Sequence, residues 1–584
     1  MIQALGASQG IAIGKAFVLP HWEWELPDQK IDVADLAKEF ERLYEGIRRS
    51  KTEINQMRTE LDEVVGSEEA SIFDAHLAIL EDPVFMNEIQ GIIQRQYKVA
   101  EVAVKEAIDH FVTMFDLLDD EYMKERALDI KDVGNRLLKH LLGVPDIALP
   151  EDTQPFVLVV RELSPSQLVH LKPELVLGIV TMVGSPTSHS AIMARAFGIP
   201  MVMGVEGKLG EPILTGDLLI IDGETGLLQL DPTSEVVSRY TEMRKRQIVD
   251  REKLLMLAEV PPVTLDGISL TLKANISSLK ELEAAISNGA VGVGLFRTEF
   301  LYMDRSHFPT EEEQFEVYRA VAQKLKGQSL NIRTLDIGGD KQLDYYELPE
   351  EENPFLGFRA IRFSLERKDL FKTQLRAILR ASEYGDVRIM YPLITSVEEV
   401  RGANEVLAEA KNELTREGIP HRSNVKVGIM IEVPAAVAIA DILAEEVSFF
   451  SIGTNDLIQF TLAVDRMNEQ ISHLYEPYHP AILRMIRTVT NAAKAQGIPV
   501  SVCGEIAGDV NALPIWLGLG IEELSLSAQA ILPVKESMLR TKASECRNLL
   551  EQLFRCKTSG EVRAIAKQFY AEAALAPGSA QPHV

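Results

Sequence analysis

Between Asp32 and Leu142 the apolar positions recur at i, i+3 and i+4, as in Phe40, Leu43 and Ile47 and again in Phe73, Leu77 and Leu80. That period puts an apolar stripe on each of about four amphipathic helices, the pattern of a helical bundle. On either side the pattern shortens to unbroken apolar runs. Residues 1–20, with the run Gly10–Leu19, precede the bundle as a glycine-containing strand pair, and Pro155–Val160, Leu175–Val180 and Gly216–Gly223 follow it as buried strands. The flanks, residues 1–20 and 146–231, are predicted to form one discontinuous α/β domain, with the bundle over 30–144 inserted within it.

From Pro232 to Ala258 the chain is charged and helix-favouring, with Arg244-Lys245-Arg246 and Arg251-Glu252-Lys253, and Pro261-Pro262 stops it. As a single helix this linker, assigned to 232–260, spans roughly 40 Å at 1.5 Å per residue. Beyond it, short apolar runs alternate with helical patterns: Leu270–Ala274, Val291–Phe296, Leu330–Leu335, Val387–Tyr391, Val427–Ile431, Phe449–Ile452, Val500–Cys503 and Glu523–Leu526. Eight such repeats over 261–574 predict a (β/α)8 barrel, with an open doubly wound sheet as the alternative. The tail 575–584 is expected to be disordered. The fold class is therefore α/β multidomain.

Composition narrows the partners. The 584 residues exceed a single core, and the net charge of −27 argues against nucleic acid and anionic membranes. Cys503, Cys546 and Cys556 are odd in number and widely spaced, which suits a reducing cytoplasm better than a disulfide framework. No run approaches the ~20 apolar residues of a membrane span, and Met1–Gly6 lacks a basic segment leading into an apolar one. The expectation is a soluble cytoplasmic protein without membrane insertion.

Candidate chemistry lies in two places. Gly184-Ser185-Pro186-Thr187-Ser188-His189-Ser190 sets a histidine on a turn that opens the helical run Ala191–Ala196. Free N–H groups and the helix dipole favour an anion there, so His189 is a candidate phosphoryl acceptor. A capped surface helix with an incidental histidine is the alternative. In the barrel, the C-terminal ends of the strands converge on one face. They carry Arg297, Arg333, Glu432, Asn455, Asp456 and Cys503, with Arg466 just beyond Asp465. Arginine forks suit a ligand bearing phosphate and carboxylate. Glu432 and Asp456 suit Mg²⁺ and offer no zinc-type ligand set. Arg359, in the loop Asn353–Arg362, either reaches the same anion or braces its loop. Cys503 is either a proton donor or a small buried residue.

Thr187-Ser188-His189-Ser190-Ala191-Ile192-Met193-Ala194-Arg195 resembles the phosphohistidine signature of phosphoenolpyruvate-using enzymes. Phe450-Ser451-Ile452-Gly453-Thr454-Asn455-Asp456-Leu457, with Gln459 and Asp465-Arg466, resembles their second signature. With Arg297–Phe300, Asp336–Lys341 and Asn353–Arg362 added, essentially the whole chain is similar to the Enzyme I family of the bacterial sugar phosphotransferase system. The resemblance implies a swivelling phosphohistidine domain, a barrel that binds phosphoenolpyruvate and pairs two copies as a homodimer, and a helical insert that docks the phosphocarrier HPr. It implies transfer of the phosphoryl group from Mg²⁺-bound phosphoenolpyruvate to Nε2 of His189 and then to HPr, with pyruvate as product. Arg297, Arg333, Asn455, Asp456 and Arg466, with Arg359, would hold phosphoenolpyruvate. Glu432 and Asp456 would ligate Mg²⁺, and Cys503 would protonate the enolate. In the insert, Glu68, His76, Leu80 and Arg126 are the docking candidates, against the alternative of core residues and a solvated face.

Two positions depart from the family pattern. Ser185, followed by Pro186, stands where a second glycine is usual, and Leu168 stands where a threonine commonly orients the imidazole. Ser185, Thr187 or Ser188 is left to meet Nδ1 of His189. Two other functions share part of this pattern: a dikinase or phosphoenolpyruvate synthase, which needs a nucleotide-binding domain that the helical first 150 residues do not resemble, and a regulatory phosphorelay with the same chemistry.

Overall fold

The computed structural model describes residues 1–19, 26–27, 30–64, 70, 72–116, 121–144, 154–170, 173–184, 188–303, 305, 307–339, 341, 343, 345–349, 351–466, 468 and 470–575. Nearly all of the expected tail lies outside them. The chain divides into two compact units, Met1–Val249 and Asp250–Val584.

In the first unit, strands β1 (Ile2–Gln3), β2 (Leu5–Ser8), β3 (Ile11–Val18), β4 (Phe156–Val160), β5 (Val176–Thr181), β6 (Met201–Met203), β7 (Leu218–Asp222) and β8 (Leu227–Leu230) form one mixed sheet. Their order is β1-β8-β7-β3-β4-β5-β6-β2. Residues 1–20, expected to hold a strand pair, hold the three strands β1, β2 and β3, and Gly10–Leu19 supplies the longest of them, β3. Its Gly14 marks a close approach, not a turn: a Cβ there would lie 2.7 Å from Leu177 Cδ1.

Strands β3 and β4 are parallel neighbours, with Ala16 opposite Val157. Between them in sequence come helices Leu36–Val64, Ile72–Glu81, Pro83–Gln96, Ala100–Asp116 and Glu121–Leu142. The bundle is thus an excursion between two adjacent strands. It shares its core with one face of the sheet, where Leu43, Phe73 and Val133 join Phe156, Leu158 and Ile179. Val157, Val159 and Ile221 fill the opposite face, as strand alternation requires.

Helix Ser234–Met256 follows the last strand of this sheet, close to the predicted linker. The second unit is a closed barrel of eight parallel strands: β9 (Thr271–Ile276), β10 (Val293–Phe296), β11 (Ser329–Arg333), β12 (Asp386–Tyr391), β13 (Val427–Ile431), β14 (Phe450–Ile452), β15 (Val500–Val502) and β16 (Glu523–Leu526). Closure excludes the open doubly wound alternative. Outward-facing Leu272, Ala274, Ile332, Ile389, Ile452, Val502 and Leu524 pack beneath the surrounding helices. The inward positions are unusually polar. Lys273 pairs with Glu523 at 2.5 Å, and Ser525 Oγ donates to Asn275 Oδ1 at 2.6 Å. No described helix is long and apolar enough to cross a membrane.

Candidate active site

At the C-terminal ends of the barrel strands lies a buried network of opposite charges. Arg333, the last residue of β11, is 6% exposed; it pairs with Glu299 and lies 3.2 Å from Asp336 Oδ2. Lys341 Nζ reaches Glu299 Oε1 at 2.7 Å and Asp336 Oδ2 at 3.2 Å. Arg359 is 2% exposed and donates to Asp336 Oδ1 at 3.0 Å and to Asp456 Oδ2 at 3.4 Å. Burial opposes every charge here, yet the partners outweigh it. Glu299 and Asp336 hold Arg333 above its ordinary pKa. Arg359, Lys341 and Arg333 hold Asp336 well below the usual carboxylate range.

Glu432, just past β13, behaves in the opposite sense. Burial first, then the charges of Asp456 and Asp336, push its carboxyl up to about 8 against the pull of Arg333 and Arg359. Its Oε1 accepts from the backbone N of Leu393 at 2.6 Å. Glu432 and Asp456 are therefore carboxylates close enough for the charge of one to bear on the other. Among the described residues no cluster of three or more His, Cys, Asp or Glu is placed to hold a metal ion.

Asn455 stands in the first turn of helix Thr454–Leu462, which opens directly after β14. Its Nδ2 donates to Glu505 Oε1 at 3.1 Å, and its Oδ1 accepts from the backbone N of Glu505 at 3.1 Å. The loops touch so closely that a Cβ on Gly504 would lie 1.7 Å from Thr454 Oγ1. Cys503 is 5% exposed and packs among Leu295, Met390, Met430 and Phe449. Burial pushes its thiol up to about 11, with Glu432, Arg333 and Arg297 all close enough to bear on it. Arg297 is exposed after β10. Arg466 is half-buried; it acts, with Glu505 and Asp456, on the hydroxyl of Tyr475, which burial pushes up to about 12. A cavity of about 480 Å³ opens beside Asn455 and Glu505, lined also by Tyr475, Arg563 and Lys567.

The barrel thus gathers Arg297, Arg333, Arg359, Glu432, Asn455, Asp456, Arg466 and Cys503 at one mouth. Arg359 donates through Nη2 to Asp336 and Asp456, while its Nε and Nη1 have no hydrogen-bond partner among the described residues. Sequence reasoning gave no role to Glu299, Asp336, Lys341 and Glu505. The available signal was their position after a strand end that already carried a candidate, three residues on for Glu299, Asp336 and Glu505 and eight for Lys341.

In the first unit, His189 is the first residue of helix His189–Phe197, with Ser188 as its N-cap in extended backbone. Ser188 Oγ lies 3.1 Å from Ser190 Oγ. Arg195 Nη1 ties the helix to β2 through the carbonyl of Ala7 at 2.9 Å. Ser185, Pro186 and Thr187 lie outside the described residues. Leu168 belongs to the short helix Pro165–His170, where Ser164 and Gln167 cap each other: Ser164 N donates to Gln167 Oε1 at 3.0 Å, and Gln167 N to Ser164 Oγ at 3.2 Å.

The insert requires a correction. His76 and Leu80 are 0% and 2% exposed. His76 Nε2 faces Asp129 Oδ1 at 3.4 Å inside the bundle. These two residues fall on the core stripe of their helix and have no surface to offer a partner. Arg126 is half-buried, and Glu68 lies outside the described residues.

Three domain families match the chain in order: "PEP-utilising enzyme, N-terminal" over residues 3–126, "PEP-utilising enzyme, mobile domain" over 152–226, and "PEP-utilising enzyme, PEP-binding domain" over 251–543. The phosphoenolpyruvate-protein phosphotransferase of Staphylococcus carnosus is 43% identical over 573 residues, covering 97% of this chain and 99% of that one. Those of Listeria monocytogenes and Bacillus subtilis are each 45% identical, covering 98% and 97% of this chain and 99% of their own. At such identity along nearly the full length, the chain belongs to the phosphoenolpyruvate-protein phosphotransferase family and is an enzyme that passes a phosphoryl group from phosphoenolpyruvate to protein.

Proposed function

We propose that this chain takes the phosphoryl group of phosphoenolpyruvate onto Nε2 of His189 and passes it to the phosphocarrier HPr, as the first step of the sugar phosphotransferase system. The observation that carries the reading is the barrel mouth, where buried arginines kept charged by Glu299 and Asp336 stand beside the Glu432–Asp456 pair. Arg297, Arg333 and Arg466, with the amide of Asn455, bind the phosphate and carboxylate of the donor. Arg359 binds the same anion, its Nη1 and Nε having no other hydrogen-bond partner among the described residues. Phosphoryl transfer asks mainly for positioning and charge stabilisation, which this set supplies.

The bond from phosphorus to the enol oxygen breaks as Nε2 of neutral His189 bonds to phosphorus. The oxygen leaves with the bonding electrons as the enolate of pyruvate. Cys503 gives its thiol proton to C3 of that enolate, completing pyruvate. A second transfer carries the phosphoryl group from Nε2 to a histidine of HPr. One histidine meeting two partners in turn requires its domain to swivel, with helix Ser234–Met256 as the linker.

The donor set fits a hard divalent cation. Two carboxylates that repel each other in a buried setting are stabilised by a cation between them, and Mg²⁺ typically takes one or two carboxylates and completes its shell with substrate oxygens and water. Glu432 and Asp456 would hold Mg²⁺, which would neutralise charge on the phosphate and the developing enolate. The barrel domain forms the homodimer, the helical insert docks HPr, and the enzyme works in the cytoplasm.

Incubating the chain with phosphoenolpyruvate and Mg²⁺ and mapping the product by mass spectrometry tests the assignment. Phosphorylation of the peptide containing His189 is expected. Phosphorylation confined to another residue would overturn it.

A further inference from the structure

We propose that Gln374 is a positioning residue for the donor site: from helix Lys368–Ala381 its amide fixes the spacing of the two strand ends that carry Arg297 and Arg333. The inference rests on the reading of those two arginines as groups that bind phosphoenolpyruvate.

Gln374 interrupts the buried stripe of its helix, among Phe371, Leu375 and Ile378, and is itself 1% exposed. An apolar side chain there would fill the space without the cost of desolvating an amide. What the amide adds is a set of bonds to β10 and β11 just beyond the point where the ladder between them stops. Their paired register ends with Phe296 opposite Ile332. Past it, Thr298 Oγ1 donates to the carbonyl of Arg333 at 2.8 Å, and Gln374 Nε2 donates to Thr298 Oγ1 at 3.1 Å. The backbone N of Leu335 donates to Gln374 Oε1 at 2.9 Å.

The direction of every bond follows from one group. The Leu335 N–H can only donate, so it fixes Oε1 on its own side and turns Nε2 towards Thr298. Thr298 Oγ1 accepts that N–H and gives its own to Arg333. Its hydroxyl is thus occupied, and Thr298 precedes the short helix Glu299–Leu301 without a side-chain cap. The second N–H of Nε2 reaches Tyr318 Oη at 3.3 Å, and Tyr318 donates to Gln314 Oε1 at 3.2 Å. Gln314 Nε2 in turn donates to the carbonyl of Pro309 at 3.1 Å.

The contact points lie between residues of the mouth. Thr298 separates Arg297 from Glu299, and Leu335 directly precedes Asp336. One amide therefore bears on the backbone of Arg297, on the carbonyl of Arg333 and on both carboxylates that pair with Arg333. Losing it leaves the Leu335 N–H buried without a partner and lets the end of β10 shift against that of β11. The arginines keep their charge but lose their separation, on which their grip on one small anion depends.

Calorimetric titration of phosphoenolpyruvate with excess Mg²⁺ into the full chain carrying His189→Ala, where no transfer follows binding, tests this. Added to that parent, Gln374→Met, which keeps the volume but not the bonds, and Thr298→Val are each expected to weaken binding about tenfold. Combined, they are expected to weaken it about tenfold and not about a hundredfold, because both cut one path. Thr298→Ser, which keeps the hydroxyl, is expected to bind as the parent does. Tyr318→Phe removes a hydroxyl of the same buried network away from the strand ends; it is expected to lower the urea midpoint and leave affinity unchanged. Parental affinity in Gln374→Met, additive losses in the double variant, a loss in Thr298→Ser that matches valine, or an equal loss in Tyr318→Phe would overturn the inference. Should Gln374→Met fail to fold, the valine and serine variants at 298 decide by the same criteria. If Arg297→Ala binds the donor as the parent does, the reading of the mouth fails and the role of Gln374 falls with it.

Discussion

Asn455 and Glu505 exchange two hydrogen bonds, side chain to side chain at 3.1 Å and side chain to backbone at 3.1 Å. The pair joins the helix after β14, which carries Asn455 and Asp456, to the segment after β15, which carries Cys503. Groups proposed to bind the donor and to protonate its enolate are thereby held in one frame.

Removing that clamp affects binding more than chemistry. In Glu505→Ala the amide of Asn455 loses its orientation, and KM for phosphoenolpyruvate is expected to rise about tenfold, equivalent to about 1.4 kcal/mol, while kcat changes little. Steady-state kinetics check this; an unchanged KM would mean that the pair is only structural.

The ion network should weigh on stability. Glu299→Gln leaves Arg333 with Asp336 as its remaining close partner and takes one of two carboxylates from Lys341. Breaking a buried pair from one side costs about 3 kcal/mol. Urea unfolding of the full chain, followed in the barrel's transition, should show a lower midpoint.

Cys503 is expected to be unreactive near neutrality. Burial raises its thiol to about 11, so the proton stays on throughout the physiological range and the thiolate appears only as the pH approaches that value. At pH 8 about one molecule in a thousand carries the thiolate. Alkylation by iodoacetamide, resolved by peptide mass spectrometry, should be slow at pH 7 and quicken about tenfold per pH unit above it. Rapid labelling at pH 7 would contradict this.

Much of the architecture was legible because barrel strands are buried on both faces and flanked by turn residues. Runs such as Val427–Ile431 and Glu523–Leu526 coincide with strands β13 and β16. Gly14 sits inside β3 at a close approach to Leu177, and a glycine in an apolar run marks a turn or a close approach alike until packing distinguishes them. His76 misled: a polar residue on a helical stripe suggests a surface, yet Asp129, on another helix, gives it a partner inside. The arginines and carboxylates at strand ends were visible as a set. What the sequence did not reveal was how each is held by its neighbours, as Arg359 is by Asp336 and Asp456. That arrangement depends on distances between loops far apart in the chain.

In the proposed cycle one imidazole carries the phosphoryl group while a separate mouth binds its donor. Calorimetric titration of His189→Ala with phosphoenolpyruvate and Mg²⁺, run beside a phosphorylation assay on the same sample, tests both halves at once. The variant is expected to bind the donor with near wild-type affinity and to take up no phosphoryl group. Phosphorylation that persists without His189, or donor binding that vanishes with it, would contradict the account.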